Sequence, residues 1–326
     1  MKISIIVPVY NEENLIGKCL GSLIKQDYPK EKYEIVAVDD GSIDKTVNVI
    51  KKKQKEAGKK GIKMKIVNLE RNQGRALARE IGAKKAKYDN LLFIDSRCIA
   101  DKNALKNVKN INYQPLVGNP MIDFERSAFD RFGWLIRKKI YSSHFGENFK
   151  PTYITKDNFD GMPKGIGIFL CDKKLFLSSQ LKDKSENVSD DTKLLWNIIQ
   201  KEKILRHPSL KVIYLSRTSL KKVVKHTFER GPKFVDYYLH PRKKYFWLFI
   251  FFPVAALIFT IILIFFSFTH FLYWLGFLIL LWIFISIWLA ENIEDFFIVF
   301  VFLPIIGFGF ELGILKGLIL KLLRKY

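Results

Sequence analysis

From Tyr245 through Ala290 the sequence carries no Lys, Arg, Asp or Glu. As a single helix rising about 1.5 Å per residue, this run would be roughly 69 Å long, about twice the ~30 Å hydrocarbon core of a bilayer. It is therefore expected to form two membrane-spanning helices with a turn at Ser267 to His270. A third apolar run, Phe296 to Leu323, follows the acidic segment Glu291 to Asp295 and carries Pro304, Gly307, Gly309, Gly313, Gly317, Glu311 and Lys316. Spanning, re-entry and an interfacial position are all open for it, and three spans are the adopted expectation. A full third crossing places Lys321, Arg324 and Lys325 outside, against the positive-inside rule.

The remainder is strongly basic. The 326 residues hold 54 Lys plus Arg against 32 Asp plus Glu, a formal net charge of +22, yet 49% are hydrophobic, which excludes a disordered polar chain. Lys221, Lys222, Lys225, Arg230, Lys233, Arg242, Lys243 and Lys244 crowd the entry to the first apolar helix. The positive-inside rule then assigns the large preceding domain to the cytoplasm, in a multi-pass protein of the cell membrane. Anionic lipid accounts for the excess charge, so no nucleic-acid partner is expected. Three scattered cysteines, Cys19, Cys98 and Cys171, fit neither a disulfide framework nor a zinc site. The apolar stretch Ile3 to Val9 is too short for a signal peptide and runs into Asn11-Glu12-Glu13.

Ahead of the membrane region, apolar runs at Ile3 to Val9, Ile35 to Val38, Met64 to Leu69 and Leu91 to Ile94 recur roughly every thirty residues with helical patterns between them. This predicts repeated βαβ units and a mostly parallel, Rossmann-like sheet with covered faces. Ligands of such sheets bind beyond the carboxyl ends of the strands. The residues there are polar: Pro8-Val9-Tyr10-Asn11-Glu12-Glu13, then Asp39-Asp40-Gly41-Ser42, then Arg71-Asn72-Gln73-Gly74-Arg75, then Asp95-Ser96-Arg97. The G-x-G-x-x-G of a dinucleotide site is missing from the first of these loops. Asp44 is expected to cap the helix that follows the second.

Taken in this order and spacing, VPVYNEE, VDDGSIDKT, RNQGRALARE and FIDSR resemble the family 2 glycosyltransferases, from Lys2 to about Trp196. The resemblance implies an α/β GT-A fold and inverting transfer of a sugar from a nucleotide-sugar. It further implies a nucleotide pocket in which Pro8, Tyr10 and Glu12 line the first loop, Asp39 or Asp40 reads the base, and the turn containing Arg71, Asn72 and Gly74 closes over it. Asp95 matches the first acid of the family's D-x-D motif, which meets the ribose and the metal. Ser189-Asp190-Asp191 resembles the acidic pair before an amphipathic helix, with Asp191 as the catalytic base that takes a proton from an acceptor hydroxyl and Asp190 beside it. Capping of that helix by the two acids is the plainer alternative. Asp160 to Gly167 matches a glycine-containing acceptor-side segment, and Arg230 lies where membrane-bound members often carry a basic Arg-Gly segment. The Q-x-x-R-W motif of processive synthases is missing, which disfavours chain polymerisation.

At Arg97 the family usually has a second acid, a ligand for Mg²⁺ or Mn²⁺ on the donor diphosphate. Two readings stay open: Arg97 neutralises the diphosphate itself, or a divalent metal binds through Asp95 and the phosphates alone. The expected organisation is a GT-A domain over residues 1–215, a basic amphipathic juxtamembrane segment over 216–244 and the transmembrane region over 245–326. Arg126 to Tyr141 has apolar residues at helical spacing among basic ones, suited either to a core or to a membrane interface. The expected activity is sugar transfer from a nucleotide-sugar donor to a hydroxyl of a lipid or lipid-linked saccharide at the cytoplasmic leaflet. The alternatives are a polyprenyl-phosphate glycosyl synthase, and an inactive membrane scaffold that keeps a vestigial nucleotide site.

Overall fold

The structure, a computed structural model, describes residues 1–146, 149–183, 187–217, 219–239 and 246–323. Arg242, Lys243, Lys244, Tyr245, Arg324 and Lys325, and so the expected boundary at 244, lie outside the described residues. The elements run β1 Ile3–Val9, α1 Ile16–Ile24, β2 Tyr33–Asp39, α2 Thr46–Lys59, β3 Lys63–Asn68, α3 Arg75–Lys85, β4 Asn90–Ile94, β5 Cys98–Ala100 and α4 Ala104–Ile111. They continue with β6 Leu116–Ile122, α5 Ala128–Ile140, β7 Thr152–Ile154, β8 Ile168–Asp172, α6 Lys173–Ser178, α7 Asp190–Ile199, β9 Ile204–Tyr214 and α8 Leu220–Tyr238. Three long apolar helices follow: α9 Trp247–Phe266, α10 Phe268–Leu289 and α11 Ile293–Leu322.

The chain divides into two units. The first comprises Met1–Asp123, Ile140–Glu186 and Asp190–Ser216. Its sheet has the order β3-β2-β1-β4-β8-β6-β9-β5, with β7 paired to β9. β1 and β2 are buried along their whole length because helices cover both faces, so they read as unbroken apolar runs rather than alternating ones. The first four strands are parallel, as the βαβ repeat predicts. Beyond β4 the sheet is mixed: β8 is antiparallel to β4 and β6, β6 is parallel to β9, and β5 is antiparallel to β9. The expectation of a mostly parallel sheet is thus corrected for the second half, where strands separated by long connections no longer repeat a helix-strand period. One continuous core from Ile3 and Ile5 through Leu92 and Ile94 to Leu210 and Val212 joins the halves.

The second unit comprises Phe124–Lys139, Asn187–Ser189 and Arg217–Tyr326. The segment Phe124–Lys139 therefore groups with the C-terminal helices and not with the sheet. Phe132 and Leu135 of α5 pack with Leu289 and Val299. Arg131 of α5 makes a forked pair with Asp295, each bond 2.7 Å. Its guanidinium also stacks over Trp134 at 4.7 Å, and Lys138 pairs with Glu291. Between α9 and α10 the expected four-residue turn is in fact a break at one residue: Ser267 takes extended dihedrals and its hydroxyl meets His270 Nδ1 at 2.6 Å.

Helix α11 lies along α8 at very close range. A Cβ on Gly231 would sit 2.1 Å from the carbonyl carbon of Gly313, and one on Gly313 would sit 2.2 Å from the carbonyl oxygen of Phe228. Backbones can touch in this way only where side chains are absent, the usual device for packing helices in lipid. At the far end, Lys321 Nζ reaches the carbonyl of Leu239 at 3.5 Å. Each of α9, α10 and α11 is long and apolar enough to cross a membrane. Helix α11 is also fastened near its two ends, to α5 through Arg131–Asp295 and to the end of α8 through Lys321.

Candidate active site

The carboxyl ends of β1, β2 and β3 deliver three loops that are laced together by hydrogen bonds. Asn11, with a left-handed φ of 50°, donates its N–H to Ser42 Oγ and accepts from the N–H of Ile43. Glu12 donates its N–H to Thr46 Oγ1 at 2.8 Å. Asp44 accepts from the N–H groups of Thr46 and Glu13, so it ties the first loop to the second as well as serving the start of α2. Burial opposes ionisation of Asp44, but the Thr46 hydroxyl and these N–H donors outweigh it and hold the carboxyl below its ordinary range.

Asp39 and Asp40 are both buried, 2% and 3% exposed. Asp40 accepts N–H donors from Gln73 at 2.8 Å and Gly74 at 2.9 Å, so it positions the turn that was expected to close over a nucleotide. Burial raises its pKa, the two N–H donors opposing and the neighbouring Asp39 adding to the rise. Gly41 has φ +72°, and a Cβ there would lie 2.5 Å from the Arg71 carbonyl carbon, so only glycine allows the loops to meet. Asp39 accepts the Ser42 N–H through Oδ2. Its Oδ1 is buried with no hydrogen-bond partner among the described residues, and such a group is costly unless a ligand donor satisfies it. Arg71 and Asn72 stand exposed at the rim, Tyr10 is 40% exposed, and Pro8 is buried within β1.

Asp95 follows β4 and accepts the Arg97 N–H through Oδ1 at 3.0 Å. The Arg97 side chain donates Nε to Glu12 Oε1 at 2.6 Å and a terminal N–H to the Leu215 carbonyl at 3.3 Å. Two residues expected separately in the pocket are therefore one ion pair, and the charge carried by Arg97 is matched by Glu12. Among the described residues no cluster of three His, Cys, Asp or Glu side chains is arranged to hold a metal. Asp95 is the one acid at the motif position, a donor set suited to a cation shared with a ligand's phosphates and not to a cage made by protein alone.

At the start of α7, Asp190 and Asp191 meet two arginines of α3 that the motif reading did not single out. Arg75 forks onto Asp190 with bonds of 2.9 and 2.7 Å. Arg79, its side chain 3% exposed, donates to Asp191 Oδ1 at 2.6 Å and lies 3.7 Å from Asp190. Asp191 Oδ2 is 3.4 Å from Arg75. The available signal was the spacing of Arg75 and Arg79, four residues apart on one helix face. The glycines of Asp160 to Gly167 do not act as a group: Gly161 and Gly165 border open space, while Gly167 is hemmed in by Pro120 and Cys98. Arg230 is exposed on α8 of the second unit and is not among the residues that the first unit gathers.

Comparison with known proteins agrees with this fold. The family described as Glycosyl transferase family 2 matches residues 4–163. A dolichyl N-acetyl-alpha-D-glucosaminyl phosphate 3-beta-D-2,3-diacetamido-2,3-dideoxy-beta-D-glucuronosyltransferase of Methanococcus voltae is 29% identical over 324 residues, covering 97% of this chain and 98% of that one. The mannosyltransferase PcManGT of Pyrobaculum calidifontis, solved with GDP-Man and Mn²⁺, superposes with a TM-score of 0.63 at 15% identity, over 100% of this chain and 88% of that one. TarS 1-349 of S. aureus, solved with UDP, gives a TM-score of 0.51 at 21% identity, over 72% and 66% of the two chains. The protein is a glycosyltransferase whose residues 4–163 form a Glycosyl transferase family 2 domain, within an α/β unit of the GT-A fold.

Proposed function

We propose that this enzyme is membrane-bound and moves a sugar, with inversion, from a nucleotide-sugar to a hydroxyl of a lipid-linked saccharide at the cytoplasmic leaflet. The observation that carries the reading is the Asp191 carboxylate, held through Oδ1 by buried Arg79 in the same unit as the three strand-end loops. With Oδ1 fixed, Oδ2 accepts the proton of the acceptor hydroxyl as its oxygen attacks the anomeric carbon. The bond from that carbon to the diphosphate breaks, and the nucleoside diphosphate departs. Asp39 receives a donor group of the nucleobase on its unsatisfied Oδ1. Asp40 keeps the 71–75 turn in place without touching the base, since its two oxygens are engaged by Gln73 and Gly74.

Arg97 stabilises the departing diphosphate, exchanging Glu12 for phosphate oxygens as the donor enters. A divalent metal, when bound, would be held by Asp95 and the donor phosphates and would supply further neutralisation of that charge. The relative from Methanococcus voltae, whose name states a dolichyl-linked substrate, and the three long apolar helices support a lipid-linked acceptor. The test is a thermal-shift screen of the full chain against nucleoside diphosphates and their sugars with and without Mn²⁺, followed by transfer assays on a lipid-linked saccharide. Donor binding with transfer that is lost in Asp191→Asn is the expected result. Transfer retained by Asp191→Asn excludes that residue as the base.

A further inference from the structure

The crossing of α8 and α11 opens towards one end. Virtual Cβ atoms on Gly231, Gly313 and Gly317 fall 2.1, 2.2 and 2.7 Å from the facing helix, while the nearest atom to Gly309, one turn before Gly313 on the same face, is a Val224 methyl at 3.2 Å. Between the diverging helices lies a cleft of about 700 Å³, within the size range of small-molecule sites. Its walls are Val224 and Phe228 of α8 and Pro304, Ile305, Phe308 and Leu312 of α11, and its α8 edge carries Lys221 and Lys225. The floor is apolar and the lining cations are on the α8 edge, while Lys316 of α11 lies over the Phe228 ring at 5.3 Å. Lys221 is exposed and has no carboxylate within salt-bridge distance among the described residues; the nearest acid to Lys225 is Glu229 at 3.9 Å.

We propose that this cleft is a site for one anionic phospholipid of the bilayer, with its phosphate between Lys221 and Lys225 and an acyl chain laid along Val224, Phe228, Phe308 and Leu312. The charge asymmetry selects this occupant. A neutral lipid leaves Lys221 unmatched and Lys225 with only the long 3.9 Å contact to Glu229, and a second copy of the chain would bring like charges together. A lysine-rich amphipathic helix with its stems along apolar surface suits the level where a phosphate and the start of an acyl chain coexist. The site lies within the second unit and is independent of the transfer chemistry, so failure of either reading leaves the other standing.

The experiment is native mass spectrometry of the full chain in detergent, titrated with dioleoylphosphatidylglycerol or dioleoylphosphatidylcholine. The native protein is expected to retain one phosphatidylglycerol at a concentration at least tenfold below that needed for phosphatidylcholine. Lys221→Glu with Lys225→Glu should abolish that preference, and Ile305→Trp, which fills the cleft from an exposed position, should weaken retention with the lysines intact. A melting temperature within a few degrees of the native protein establishes that the variants are folded. Equal retention of the two lipids, or a preference unchanged by both sets of substitutions, overturns the proposal. One-for-one displacement of the phospholipid by a polyprenyl phosphate at equal concentration also overturns it, by assigning the cleft to an acceptor tail.

Discussion

The two units treat charge differently. In the first, the acids at the strand ends are fixed chiefly by backbone N–H groups: Asp40 by Gln73 and Gly74, Asp44 by Thr46 and Glu13, Asp95 by Arg97. Such bonds hold a carboxylate in place without cancelling its charge. In the second unit, Arg131 is matched by Asp295 and Glu291 and covered by the rings of Trp134 and Phe124, so its charge is consumed in fastening helices. Acids held by the backbone can still act on a ligand, whereas a mutually satisfied pair serves structure. The meeting of Arg75 and Arg79 with Asp190 and Asp191, like that of Arg97 with Glu12, brings the pairing style into the first unit, and substitutions there test the distinction most severely.

The largest effect is expected at Asp191. If its Oδ2 takes the acceptor proton, Asp191→Asn should lower kcat by about 10²–10⁴ with nucleotide affinity unchanged. A purely fastening role, like that of Asp295, predicts instead a drop in thermal stability with kcat intact in the folded fraction. Measuring kcat beside donor binding by calorimetry separates the two.

The two arginines should then part company. Arg79 is buried, and Arg79→Ala leaves Asp191 with the longer 3.4 Å contact to Arg75 in place of a 2.6 Å bond; removal of one partner of a buried pair costs about 3–5 kcal/mol. Arg75, with a side chain 39% exposed, is screened by water, and Arg75→Ala should cost about 1 kcal/mol or less. Urea denaturation of the two variants in the same detergent checks the ranking, and equal losses would show that the exposed fork matters as much as the buried one.

Asp40 supplies the next contrast. Were it an exposed strand-end acid, it could be replaced with little cost to the fold. Being buried with two N–H donors upon it, Asp40→Ala should cost about 1–3 kcal/mol and loosen the 71–75 turn. Asp39→Ala removes an orphaned Oδ1 together with one N–H acceptor and should weaken nucleotide binding more than it weakens the fold. Isothermal titration with nucleoside diphosphates, run beside denaturation, tests whether the two neighbours separate in this way.

These contrasts also mark what the sequence made legible. The four parallel strands and their polar ends were visible because local periodicity and loop composition encode them directly. The return of the sheet through β8, β6 and β9 was not, since pairing between strands far apart in sequence leaves no period to read. The same limit applies to the site. Glu12, Arg97, Asp190 and Asp191 could each be named from their motifs, yet the Glu12–Arg97 pair and the buried hold of Arg79 on Asp191 join residues 85 and 112 positions apart. The burial of Asp39 and Asp40 follows from the 71–75 turn folding against Gly41, a close approach that one glycine permits and that composition does not announce. In the second unit, uniform apolarity revealed the long helices but not which would lie against α8.

The smallest effect is the most specific to backbone-held acids. Asp44 has its folded pKa below the unfolded value of about 3.9. A depressed carboxyl stabilises the fold fully above the unfolded pKa, and that contribution disappears as pH falls through the folded one. Asparagine at this position keeps a carbonyl acceptor for Thr46 but does not titrate. The stability difference between the native chain and Asp44→Asn should therefore be constant above pH ~5 and shrink below pH ~4, modestly because water screens the site. Denaturant midpoints of the two proteins at steps between pH 3 and pH 6 would measure it. A difference that stays flat over that whole range would mean that the N–H groups of Thr46 and Glu13 position Asp44 without favouring its charge, and the contrast drawn between the two units would then rest on geometry alone.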